Sequence, residues 1–173
     1  MTNRVIDSLL EEYLEKTGKS LEVTGPISLD DIESVEKHLG FSFHLDIRSF
    51  FQNYGCIAIG GIYYNTPLLT LSEKSDGKET PSKSDIVRST AYLRNELAVK
   101  LNKKEVCIQE DDDEWFTLFD NESGLVRFYD RIKGDFLVYQ GVDMNTFDFP
   151  TYIEKEIQDS LKAELEWQEK HGK

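Results

Sequence analysis

The sequence predicts an α+β domain: a mostly antiparallel β-sheet of about five to seven strands, with helices packed largely on one face. The first observation is that residues 105–139 alternate short apolar segments with turns rich in Asp, Asn and Gly, which is typical of a β-meander. The second is that segments with helical periodicity precede and follow this region. The chain has 173 residues, of which 39% are hydrophobic, so one core can be built from it.

We expect a single domain with an N-terminal helix in residues 1–24, a core in residues 25–150 and a C-terminal helix in residues 151–173. The N-terminal helix is indicated by apolar residues spaced three and four apart, and Gly18 is expected to end it. These residues are Val5, Ile6, Leu9, Leu10, Tyr13 and Leu14.

Two further helices are expected between residues 28 and 55. Ser28 and Asp31 stand three residues apart, as in a capping box, and Gly40 is expected to end the first of these helices. The second begins near Leu45 and ends at Gly55. Its apolar face comprises Ile47, Phe50, Phe51 and Tyr54. The segment from Cys56 to Tyr64 then reads as buried strand around the pair Gly60-Gly61.

The central part of the chain predicts a strand at Leu68–Leu71, an exposed polar loop over residues 72–84 and a helix over residues 85–100. The apolar face of this helix comprises Ile86, Thr90, Leu93 and Leu97.

The meander follows, with a turn expected at Glu110–Glu114. Its four strands are expected at residues 106–108, 115–119, 125–130 and 136–139. After Pro150, apolar residues at spacings of about four indicate the C-terminal helix. They are Ile153, Ile157, Leu161, Leu165 and Trp167.

The segment 28–64 resembles the SUKH superfamily, also called the Smi/Knr family. The matching elements are Ile32, Glu36, Leu39-Gly40, Asp46, Phe50-Phe51, Gly55 and Gly60-Gly61. The family usually has Leu-Pro before the Asp and Asn-Gly after the second helix, whereas this chain has His44-Leu45 and Tyr54-Gly55. The resemblance extends over roughly residues 25–155. It implies a non-enzymatic binding module, and most bacterial members resemble immunity proteins that neutralise toxins, often nucleases.

The composition favours a basic partner. The chain carries 33 acidic and 20 basic residues, a net charge of −13, which disfavours direct binding to nucleic acid or to anionic membranes. The N-terminus lacks the features of a signal peptide and no apolar run approaches the length of a membrane span. We therefore expect a cytoplasmic protein. Because Cys56 and Cys107 each lie in an apolar run and the cytoplasm is reducing, we expect two buried free thiols.

The negative charge is concentrated between Glu105 and Gly124, where eight acidic residues occur without a Lys or Arg. Three interpretations compete: a solvated turn that keeps a strand edge soluble, a partner-binding surface, and a weak calcium site. In the second interpretation Trp115 or Tyr129 is the aromatic anchor. The candidate partner-binding residues are Glu110, Asp111, Asp112, Asp113, Glu114, Trp115, Asp120 and Glu122. The run lacks the ligand spacing of an EF-hand loop, so we expect no metal site.

Catalysis has little support in the sequence. The chain has three histidines and none of the common nucleophile, phosphate-binding, dinucleotide-binding or zinc motifs. We therefore expect no enzymatic activity and no cofactor. The resemblance favours an immunity protein that binds a cognate, basic toxin domain such as a nuclease through the acidic surface. The alternative is an intracellular scaffold or regulatory adaptor, like the fungal family members linked to cell-wall signalling.

Overall fold

The computed structural model of the protein describes residues 3–59, 62–63, 86–111, 114–139, 142–143 and 147–172. The expected strand at Leu68–Leu71, the expected loop at 72–84 and the pair Gly60-Gly61 lie outside the described residues. No helix within the described part of the chain is long and apolar enough to cross a membrane.

Five helices lie in the described residues and match the predicted helical segments. They are α1 (Asn3–Thr17), α2 (Leu29–Leu39), α3 (Leu45–Asn53), α4 (Ile86–Asn95) and α5 (Phe149–His171).

The predicted start and end of α2 are confirmed. The Ser28 hydroxyl accepts the backbone N–H of Asp31 at 3.2 Å and donates to the Asp31 carboxylate at 2.5 Å, which satisfies one of the free amides of the first turn. Gly40 ends the helix with a left-handed φ of 79°. Local sequence signals therefore set both ends of this helix.

The helix expected over residues 85–100 is shorter, because α4 ends at Asn95. The backbone N–H of Leu97 donates to the Tyr92 carbonyl at 3.2 Å, and that of Val99 donates to the Leu93 carbonyl at 2.9 Å. Ala98 between them has a φ of 52°, which an α-helix cannot contain. Leu97 nonetheless packs on the core, in the turn after the helix.

The strands of the described residues form three antiparallel sheets. They are β1 (Glu22–Val23), β2 (Ile57–Ile59), β3 (Ile62–Tyr63), β4 (Glu105–Asp111), β5 (Trp115–Asp120), β6 (Leu125–Asp130), β7 (Asp135–Phe136), β8 (Val138–Tyr139), β9 (Val142–Asp143) and β10 (Phe147–Asp148). The main sheet has five strands in the order β10-β6-β5-β4, with β7 also paired to β6. The smaller sheets are β1-β2-β3 and β8-β9.

The predicted meander is confirmed with two corrections. The turn expected at Glu110–Glu114 is shorter, because β4 continues through Asp111, which pairs with Trp115 of β5. The strand expected at residues 136–139 is divided, because β7 pairs with β6 whereas β8 pairs with β9.

The larger core lies between one face of the main sheet and helices α1, α2, α3 and α5. Phe149 of α5 is at its centre, with ring centroids 5.3 Å from Phe50 of α3 and 5.5 Å from Phe119 of β5, both edge to face. Burial of such rings removes a large apolar area from water, and the edge-to-face geometry adds to the stabilisation. The expectation of helices largely on one face is therefore confirmed.

The exception is α4, which covers the opposite face and the β4 edge. Leu93 of α4 is buried in a smaller cluster with Phe116 of β5 and Tyr129 of β6. The Thr90 hydroxyl accepts the backbone N–H of Cys107 in β4 at 2.9 Å. This bond satisfies an edge donor that a partner strand would otherwise take.

Cys56 and Cys107 are free and buried, as predicted.

The apolar stripe of α5 is buried only as far as Leu161, whereas Leu165 and Trp167 are 36% and 50% exposed. The stripe continues past Leu161, but the packed core does not extend to the C-terminal end of the helix.

Candidate partner-binding surface

The structure separates the predicted acidic residues into two groups at opposite ends of the β4–β5 hairpin. Asp111 pairs with Trp115 at one end, and Glu105 pairs with Asp120 at the other. The six residues of β5, which runs between these two ends, span roughly 17–20 Å. The structure therefore does not bring Asp120 and the neighbouring Glu122 together with Trp115.

Glu105 contributes no charge to the surface. Its side chain is fully buried, and its carboxylate accepts both the Nε–H of Arg127 at 2.7 Å and the Nη2–H at 3.0 Å. The same guanidinium lies 3.8 Å from the ring centroid of Phe136. This bidentate ion pair compensates the buried charge within the fold.

Asp120 and Glu122 lie at the β5–β6 turn. The Asp120 carboxylate accepts the Ser123 hydroxyl and the backbone N–H of Glu122, each at 3.0 Å, a common way to close a tight turn. Glu122 is exposed, with an oxygen 4.0 Å from the Lys104 ammonium. The contacts of Asp120 fit a structural role in the turn.

The other end of the hairpin carries two exposed apolar side chains. Trp115 is 41% exposed, and Ile132, in the turn between β6 and β7, is 74% exposed. The backbone N–H of Arg131 donates to the Glu114 carbonyl at 2.9 Å, and Trp115 pairs with Asp130 across the strands. We call Glu114, Trp115, Arg131, Ile132 and Lys133 the strand-end surface.

Asp130 fixes the turn that presents Ile132. Its carboxylate is buried, accepts the backbone N–H of Lys133 at 3.0 Å and lies 3.3 Å from the Lys133 ammonium. The Lys133 backbone hydrogen bond, assisted by the charge of its side chain, holds the pKa of Asp130 below its usual range. The Lys133 ammonium also lies 5.9 Å from the Trp115 ring centroid, within cation–π range.

The remaining predicted acidic residues are those of the segment 110–113, at the end of β4 and just after it. The half-buried Glu110 faces α4, where it accepts the Ser89 hydroxyl at 3.0 Å. The backbone of Asp111 belongs to β4, whereas Asp112 and Asp113 lie outside the described residues.

Tyr129, the alternative anchor, is buried with its ring centroid 5.5 Å from that of Phe136. Trp115 is therefore the exposed aromatic residue of the two.

Ile132 and its cationic neighbours Arg131 and Lys133 were not among the predicted site residues, because the sequence places them only in the connection between the strands expected at residues 125–130 and 136–139. A single Ile within a polar turn was the available signal. Its proximity to the end of β5 depends on the β5–β6 pairing, which the turn sequence alone does not show.

The strand-end surface combines apolar anchors with charges of both signs, which suits contact with another macromolecule. Within the described residues, no group of three or more His, Cys, Asp or Glu side chains is arranged to hold a metal ion.

A family model, SUKH_5, described as SMI1-KNR4 cell-wall, matches residues 3–147. This range runs from the start of α1 to the first residue of β10. No curated protein matches the chain.

Proposed function

The chain belongs to the SUKH (SMI1-KNR4) family, and we propose that it is a non-enzymatic immunity protein that binds and neutralises a basic toxin domain such as a nuclease. The family resemblance supplies the class of protein, and the net charge of −13 supplies the sign of the partner. The observation that carries the proposal is the exposure of Trp115 and Ile132. Trp115 directly follows the five acidic residues Glu110–Glu114, which we call the acidic run.

Trp115 has the properties of an interface anchor. Its backbone is held between β4 and β6, so the ring is presented from a rigid position. Tryptophan is enriched among the residues that dominate binding energy, and it loses little side-chain entropy on binding. Ile132 extends the exposed apolar area in the adjoining turn. The partner surface that fits them has an apolar depression inside a basic rim.

The acidic residues next to the anchor supply steering. Glu110 to Glu114 form a run of five carboxylates in the sequence. A nuclease must present a positive groove to nucleic acid, and a polyanionic surface can occupy that groove. Such association is fast and sensitive to salt. Arg131 and Lys133 border the run, so they favour a partner with some acidic groups opposite this turn.

The proposal is tested by capture of the partner from a lysate of the native cells at low salt, followed by elution with rising salt. The full chain is the bait, and Trp115→Ala and Trp167→Ala baits serve as the test and control variants. We expect one basic protein that is lethal when expressed alone and harmless when co-expressed with this chain. The Trp115→Ala bait should release it at lower salt than the Trp167→Ala bait does. Capture only of proteins that are harmless alone would overturn the proposal.

A second candidate function is an intracellular adaptor in cell-wall regulation, which the description of the matching family model favours. In that case the captured proteins include components of the cell's own signalling or wall-building machinery. Expression of these components without this chain is then not lethal, which separates the two candidates.

A further inference from the structure

A buried carboxylate lies beside the exposed anchors of the strand-end surface. Asp130, at the end of β6, is 2% exposed, whereas Trp115 and Ile132 are 41% and 74% exposed. Asp130 and Trp115 are direct partners in the β5–β6 pairing, so their side chains lie on the same face of the sheet. The proposed function uses the two exposed residues and leaves this buried carboxylate without a role.

We propose that Asp130 is a positioning residue of the strand-end surface and that it acts through Lys133. It holds the Trp115 ring and the turn around Ile132 in the arrangement that the basic toxin domain binds. The inference rests on the proposed function and extends it to a residue that has almost no surface of its own for contact with the partner.

Asp130 holds the backbone of the turn at two points. Its carboxylate accepts the backbone N–H of Lys133 at 3.0 Å, and its carbonyl accepts the backbone N–H of Gly134 at 2.8 Å. Ile132 lies between Asp130 and these two donors in the sequence, so both hydrogen bonds close the loop that carries it. The exposed isoleucine is therefore presented from a turn with both ends fixed.

The second carboxylate oxygen of Asp130 holds a side chain. It lies 3.3 Å from the Lys133 ammonium, which in turn lies 5.9 Å from the centroid of the Trp115 ring. A lysine side chain on a protein surface samples many rotamers, and an ion pair to a buried carboxylate restricts it. Once restricted, the ammonium favours the ring orientation in which it lies over the aromatic face. One cation thereby couples a buried carboxylate to an exposed anchor.

This coupling should affect binding, because an anchor that is ordered before binding loses less entropy when the partner binds. Loss of the order of one such side chain is expected to weaken the complex about three- to tenfold. The effect of the Lys133 charge alone has the opposite sign. Removal of a cation makes the chain more negative, which would strengthen its attraction to a basic toxin. Neutralisation of Lys133 therefore separates positioning from steering.

The first measurement is NMR relaxation of the isotope-labelled full chain without a partner. The chain has two tryptophans and hence two indole N–H signals, so Trp167 serves as an internal reference. We expect Lys133→Gln and Asp130→Asn each to lower the order parameter of the Trp115 indole from about 0.85 to about 0.6. Lys133→Arg, which keeps the cation, should preserve it. Lys104→Gln removes the same charge at the other end of the β4–β5 hairpin and should also leave it unchanged.

The second measurement is the affinity for the captured toxin, by calorimetric titration at low and high salt. Lys133→Gln and Asp130→Asn should weaken binding about three- to tenfold at both salt concentrations, because salt does not screen the positioning of a ring. Lys133→Arg and Lys104→Gln should stay within about twofold of wild type. The Lys133 side chain is 66% exposed, so Lys133→Gln keeps the test decisive even where Asp130→Asn is too unstable to study.

The inference is overturned if the Trp115 indole has the same order parameter in the wild type and in Lys133→Gln, or if Lys104→Gln lowers it equally. It is also overturned if Lys133→Gln binds the toxin as tightly as the wild type does, or more tightly. The relaxation measurement needs no toxin, so its failure is distinct from failure of the proposed function. A toxin bound equally well by the wild type, Lys133→Gln and Asp130→Asn would refute the positioning role while leaving immunity intact.

Discussion

Arg131 donates its backbone N–H to the carbonyl of Glu114 at 2.9 Å. This hydrogen bond joins the turn after β6 to the start of β5, so that Ile132 and Trp115 are presented at the same end of the main sheet. The exposed apolar residues are therefore carried by hydrogen-bonded strands and a tight turn. A binding surface built in this way loses little entropy when a partner binds.

Trp115 should contribute more to partner binding than other exposed aromatic residues. Trp115→Ala is expected to weaken the complex with the captured toxin by about 2 kcal/mol or more, roughly 30-fold in Kd, because it removes a central anchor. Calorimetric titration measures the change. Trp167→Ala is the matched control, since Trp167 is 50% exposed on α5 and should leave Kd unchanged. Equal losses for both variants would place the interface elsewhere.

Charge reversal in the acidic run should act on the association rate. Replacement of Asp111, Asp112 and Asp113 by Lys is expected to slow association about tenfold at low salt, with the difference shrinking as salt screens the charges. Stopped-flow mixing measures this rate.

The control for charge reversal is replacement of the exposed Glu15, Glu166 and Glu169 by Lys, which changes the net charge equally. Glu166 lies about 20 Å along the α5 axis from Tyr152, where the helix contacts the main sheet. A slower rate in the control, or none in the test variant, would remove the run from the encounter surface.

Gly55 should be much less replaceable than Gly134, although both have a positive φ, of 67° and 69°. A Cβ atom on Gly55 would lie 2.2 Å from the carbonyl oxygen of Gly25, whereas one on Gly134 would meet nothing within 4 Å. Gly134→Ala is therefore expected to cost about 1–2 kcal/mol of unfolding free energy, and Gly55→Ala a further 1–3 kcal/mol. Urea denaturation measures both values, and similar losses would contradict the close packing at Gly55.

Asp130 should make stability depend on pH in the acidic range. Because its pKa is lowered in the fold, its contribution is fully present above the ordinary aspartate pKa of about 4 and is lost as the pH falls through the lowered value. Wild type should thus have a higher Tm than Asp130→Asn at pH 7, with the difference shrinking below about pH 4. A difference that stays constant down to pH 2.5 would show that the carboxylate charge is not what stabilises the turn.

Much of the fold could be predicted because its signals are local. The caps at Ser28 and Gly40, the apolar face of α3 and the alternating strands of the meander each need only neighbouring residues. The early end of α4 could not be predicted, because it depends on a positive φ at Ala98, a residue that ordinarily favours helix.

The candidate surface was predicted less completely, because its residues meet only through strand pairing. Glu105 was counted with the acidic run, yet it is buried against Arg127, whose distance along the chain hides the pairing. Ile132 was missed for the same reason, since it reaches the end of β5 only through the pairing of β5 with β6. Trp115 itself was identifiable, because an aromatic residue at the end of a charged run is a local pattern.

The most direct test of the central claim is hydrogen–deuterium exchange of this chain, free and in complex with the captured toxin. The account predicts protection on binding in the peptides that contain residues 114–118 and 130–136, which carry Trp115 and Ile132. Peptides from the C-terminal half of α5 should exchange at the same rate in both states. Protection confined to α1 and α5, with none at the strand-end surface, would contradict the account.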